Sequence, residues 1–87
     1  MNAPTFATID EKLVNLDLEI CENKENLSRP EWLKYMANLK DIFKEMEALV
    51  ALNQTERLHL LLLFYKLCSI IQDNIGAMNF NPRLTNV

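Results

Sequence analysis

The stretch Glu56–Ile75, ERLHLLLLFYKLCSIIQDNI, constrains this chain more than any other. Between Leu60 and Ile71 only Lys66 and Ser69 are polar. At about 100° of rotation per residue, Leu58, Leu61, Tyr65, Cys68 and Ile75 gather on one side of a helix. Leu60, Leu63, Phe64, Leu67, Ile70 and Ile71 carry the apolar surface round to a second side. What remains is a narrow polar strip of His59, Lys66, Ser69 and Asp73, interrupted by Leu62. The apolar arc covers roughly 220°, where a helix lying on a globular domain needs little more than about 100°. Two arrangements can satisfy it: cover by two further helices of the same chain, or a part of the arc facing a second chain. The run from Leu58 to Ile71 is about 14 residues, short of the roughly 20 that a bilayer requires, and His59 and Lys66 interrupt it, so no membrane span is expected.

The rest of the chain reads as helical too. One glycine and three prolines leave too few turn residues for a strand-and-turn architecture. With 49% apolar and 24% charged residues, the composition is that of a folded chain rather than a disordered one. Eighty-seven residues make one domain at most. A chain this short buries a modest share of its surface, and oligomerisation often supplies the missing stability.

Thr8 and Glu11 have the spacing of a capping box, which predicts a first helix from residue 8 to about 26. Within it Ile9, Leu13, Leu16, Ile20 and Leu27 repeat at steps of four and three, with Asn23 filling the missing position, a heptad-like seam for helix packing. Val14, Leu18 and Cys21 form a weaker second stripe, and Asp17, Glu19, Glu22 and Glu25 make the outer side acidic. Ser28-Arg29-Pro30-Glu31 is a boundary and a second box, opening a helix over 29–51. Its seam reads Trp32, Met36, Leu39, Phe43, Met46 and Val50, flanked by Tyr35, Ile42 and Leu49. Asn53 and Glu56 offer a third box, which breaks residues 30–75 into two helices and predicts the last over 54–75. Gly76 is expected to stop that helix, with residues 1–7 and 77–87 irregular and Phe80 and Leu84 available to fold back or meet a partner. The expected architecture is an all-α, up-down-up bundle of three helices, completed by a second chain.

Charge and motif content narrow the function. The net charge is −3, and the nine basic residues are scattered, whereas duplex nucleic acid binding draws on a concentrated positive face. Cys21 and Cys68 are expected as reduced thiols in a core or interface, which points to a cytoplasmic setting. The N-terminal stretch lacks an apolar signal region. One histidine and two distant cysteines show no metal-ligand spacing, and the single glycine excludes a phosphate loop, so neither metal nor cofactor is expected. His59 and Cys68 stand about 180° apart on one helix and more than about 13 Å along it, which excludes a dyad within the helix.

The function class left is protein–protein interaction without catalysis: a small acidic adaptor, chaperone or inhibitor. It would act by burying an apolar helix face in a partner's groove, with Leu60, Leu63, Phe64, Leu67 and Ile70 as anchors. The partner is a second copy, giving a homodimer, or one larger protein, steered when basic by the acidic first helix. Two other classes stand behind it. One is a small helical DNA-associated transcription regulator. The other is a small homodimeric bundle enzyme that grips a dianion through inward cations, of which Arg57 comes nearest.

Overall fold

A computed structural model describes residues 4–80. They form three α-helices, with no strand among the described residues: α1 (Phe6–Asn23), α2 (Arg29–Glu47) and α3 (Gln54–Phe80), with a 3-10 turn over Lys24–Asn26.

Local chemistry sets each start. Helix α1 begins earlier than the Thr8–Glu11 spacing predicts, because Thr5 is the cap. Its Oγ1 accepts from the Thr8 amide at 3.2 Å, while the Thr5 amide donates to Thr8 Oγ1 at 2.8 Å. The extra turn carries Phe6 onto the core. The boxes at Ser28 and Asn53 form as expected. The Ser28 amide donates to Glu31 Oε1 at 3.1 Å, and the Glu56 amide donates to Asn53 Oδ1 at 2.8 Å. Leu27, before the Ser28 cap, and Trp32, four residues beyond it, are both buried, the arrangement of a hydrophobic staple. Residues 30–75 are therefore two helices.

The ends depart from expectation in two places. Helix α2 stops at Glu47 rather than near 51, and the Ala48 amide donates to the Lys44 and Glu45 carbonyls. Leu49 and Leu52 then turn in against the core, while Val50 is 96% exposed. Gly76 does not stop α3. It lies within the helix with no positive φ, so nothing draws it into the left-handed conformation. The tail residues Phe80 and Leu84 lie outside those whose side chains are described.

One buried cluster joins all three helices. The α1 seam packs as read, with Ile9, Leu13, Leu16, Ile20 and the following Leu27 all buried. In α2 the buried line is Trp32, Leu39, Ile42 and Met46, with Tyr35 and Leu49 half-buried beside it. The expected seam positions Phe43 and Val50 are exposed. Both lines share Trp32, Leu39 and Met46, and they differ only in which flank they include. Contact with two neighbours decides: the flank of Ile42 goes inside, while Phe43 stays at the edge, its ring 5.2 Å from Phe64 of α3 at 85°. In α3 the buried line is Leu60, Phe64, Leu67 and Ile71, spaced four, three and four.

Three ion pairs ring this core: Lys12–Glu45 at 2.7 Å, Asp10–His59 at 2.8 Å and Asp17–Lys66 at 3.1 Å. All are well exposed on at least one side, so each stabilises by no more than about 1 kcal/mol. Two of them, Asp10–His59 and Asp17–Lys66, join α3 to α1 beside the buried line of α3. Among the described residues one buried side-chain polar atom lacks a partner, the indole Nε1 of Trp32.

Candidate protein-interaction surface

The polar strip of α3 lies along the α1 side of the helix, with His59 and Lys66 each about half exposed. His59 and Lys66, seven residues apart, meet Asp10 and Asp17, also seven apart, on α1. With the strip turned against α1 and the line Leu60–Ile71 turned into the core, the arc left outward is apolar. Leu58 is 57% exposed, Leu62 62% and Tyr65 75%, with Leu61 beside them and Phe43 across on α2. Scattered exposed leucines need no explanation, but these lie within two turns of one helix.

This face runs into a groove of about 540 Å³ between α2 and α3. Met36, Leu39, Phe43 and Phe64 contribute from the core side, and Leu61 and Tyr65 from the outward face. The α2 edge is charged, with Lys40, Lys44 and Glu47, whereas Gln72 is the polar residue on the α3 edge. The groove thus has an apolar floor with charge along its α2 edge alone.

The five expected anchors are placed differently. Leu60 and Leu67 are fully buried, which removes them from any surface of the folded chain, while Phe64 is nearly buried and reaches only the floor of the groove. Leu63 and Ile70 are half-buried against the same core. The outward residues are instead Leu58, Leu61, Leu62 and Tyr65. One signal in the sequence bears on this: the matched seven-residue spacing of Asp10–Asp17 and His59–Lys66, which pairs the polar strip with α1 and leaves the opposite side outward.

Elsewhere, groups of His, Cys, Asp or Glu able to hold a metal do not occur among the described residues. His59 Nε2 is occupied by Asp10, and its ring lies 5.6 Å from that of Phe6. Cys21 is exposed and Cys68 half-buried, both free thiols. Two side chains titrate away from their ordinary values. Burial pushes the Tyr35 phenol up, aided by the negative charge of Glu19. The hydrogen bonds from Ser28 hold the Glu31 carboxyl down.

Helix α3 is longer than the apolar run within it, and Gln54–Met78 is long and apolar enough to cross a membrane by length and composition alone. The expected objection from length therefore falls away. The core helix of a folded bundle passes the same test, and Leu60, Phe64, Leu67 and Ile71 form such a core line here.

The chain matches no known protein family, and no curated protein or solved structure is detectably similar to it.

Proposed function

We propose that this chain is a non-catalytic protein-interaction module that buries the outward face of α3, together with the α2–α3 groove, against a partner. One observation carries the reading: Leu58, Leu61, Leu62 and Tyr65 are exposed together although α3 already has a filled core line. Covering this face removes apolar surface from water at about 25 cal/mol per Å². Adaptor, chaperone and inhibitor are the forms such a module takes. The reading includes an up-down-up order of the helices, supported by the pairings. Asp10 and Asp17 meet His59 and Lys66 in the same order along the chain, while Lys12, early in α1, meets Glu45, late in α2. It also includes completion by a second chain, for which the uncovered face is the ground.

The test separates surface from core. Leu62→Asp and Tyr65→Asp should leave helical content and cooperative unfolding unchanged, yet abolish association and binding of an apolar-surface dye. Leu67→Asp should unfold the chain. If Leu62→Asp unfolds it as well, the face is core and the proposal fails. If Leu62→Asp leaves association and dye binding intact, the face is not the contact surface.

A second reading has its own observation. Only 22% of the most apolar window of α3 is buried, so its open side could lie on lipid. Against a full span stand Lys66 and His59, whose pairing with α1 would be broken inside a bilayer. Flotation with phosphatidylcholine vesicles, lost in Leu62→Asp, would favour lipid over protein as the partner.

A further inference from the structure

The charged edge of the groove identifies a specific occupant. Lys40, Lys44 and Glu47 line it along α2, and none has an ion-pair partner among the described residues. Lys40 and Lys44 stand one turn apart and repel each other. Glu47 lies roughly 10 Å beyond Lys40 along the axis, at about 1.5 Å per residue. Reversed end to end, the two ends of this row complement each other. Lys40 of one copy falls opposite Glu47 of the other and Glu47 opposite Lys40, two opposite-charge pairs set against one like-charge pair, the two Lys44 side chains beside the axis. The apolar face reverses in the same way, with Leu58 opposite Tyr65 and Leu61 opposite Leu62. The midpoint of the first row lies between Phe43 and Lys44, and that of the second between Leu61 and Leu62. Because the rings of Phe43 and Phe64 pack at 5.2 Å, the two midpoints lie within about one helical turn of a common level.

We infer that the occupant is a second copy of the chain, docked antiparallel about a twofold axis that crosses the groove near Phe43 and Leu61. This rests on the reading of the outward face as an interaction surface, and adds the partner and its register. A twofold contact uses one patch twice and closes on itself, which limits assembly to a dimer. Each copy then covers the other's apolar face, and Lys40 of each faces Glu47 of the other.

Sedimentation equilibrium of the full chain at low ionic strength, where surface charges act most strongly, tests this. The mass should rise with concentration to twice the 10.1 kDa of the chain. Lys40→Glu and Glu47→Lys should each weaken the dimer by about tenfold. The double variant should recover to within about threefold of the original, since the swapped charges again meet their opposites. Loss in both singles without recovery in the double, or no loss in either, overturns the register. A cysteine pair test fixes direction. In a Cys21→Ser, Cys68→Ser background, Leu62→Cys lies near the axis and should cross-link two chains. Ser69→Cys should not, because antiparallel copies hold those positions roughly 20 Å apart. Cross-linking at both positions means a parallel contact and overturns the inference. A monomer at every concentration overturns the second copy as occupant. If dye binding then persists and is lost in Leu62→Asp, the interaction surface stands with a different partner; if dye binding is absent too, both readings fall.

Discussion

Lys66 Nζ of α3 lies 3.1 Å from Asp17 Oδ2 of α1, seven residues further along each helix than the contact of His59 with Asp10. These two contacts join the polar strip of α3 to α1 at the rim of the bundle, where both side chains stay about half exposed. Their energetic contribution is small, because Lys66 is more than half exposed. Lys66→Ala should therefore cost no more than about 1 kcal/mol in urea unfolding. A loss several times larger would mean that the pair holds the bundle together rather than orienting it.

Core and face should separate cleanly by truncation. Leu67→Ala removes a fully buried side chain and should cost about 2–5 kcal/mol. Leu62→Ala, at a position 62% exposed, should stay within about 0.5 kcal/mol when the chain is dilute. Equilibrium urea curves for both, at a concentration below any association, measure the contrast. Equal losses would contradict the assignment of sides on α3.

Gly76 gives a stabilising prediction. It sits in helical conformation inside α3, and an added Cβ would meet nothing within 4 Å. Gly76→Ala should raise stability by roughly 0.5–1 kcal/mol through the lost freedom of the unfolded chain. Destabilisation would show that this residue ends the helix, as its identity alone suggests.

The Ser28–Glu31 box carries a pH dependence. Hydrogen bonds from Ser28 lower the Glu31 carboxyl below its ordinary value of 4.5. A depressed carboxyl contributes stability that is present above the unfolded value and is lost as pH falls through the folded one. Ser28→Ala should cost about 1 kcal/mol at neutral pH. The gap in melting temperature between Ser28→Ala and the original chain should narrow as the pH falls below 4.5. A gap independent of pH would mean that the carboxylate takes no part in the cap.

Trp32 combines full burial with an unpaired indole N–H. Leaving such a donor unsatisfied costs about 1–3 kcal/mol, so Trp32→Phe trades lost contact area against the removal of that penalty. It should lose less than about 1.5 kcal/mol, and Trp32→Ala about 3–5 kcal/mol. Calorimetric unfolding of the two variants separates them. Equal losses would show that the indole N–H has a partner.

The sequence by itself determined the helices and where most of them begin. Capping at Ser28 and Asn53 is local chemistry between residues three apart, and the α1 seam is a periodicity within one helix, so both were legible without neighbours. Two errors there were also local: Thr5 competes with Thr8 as a cap, and a glycine in negative φ can continue a helix, at a cost of about 0.5–1 kcal/mol relative to alanine. The tertiary structure alone decided which sides face inward. Helices α2 and α3 each carry more apolar surface than one seam requires, and propensity does not choose between Ile42 and Phe43, or between Leu60 and Leu62. That choice depends on where the other two helices lie. For α3 the side of Leu60, Phe64, Leu67 and Ile71 went inward, and its flank met Asp10 and Asp17, about fifty residues away in the chain. Of the expected anchors Leu60, Phe64 and Leu67 accordingly went into the core and Leu63 and Ile70 became half-buried, and the open face fell to Leu58, Leu61, Leu62 and Tyr65.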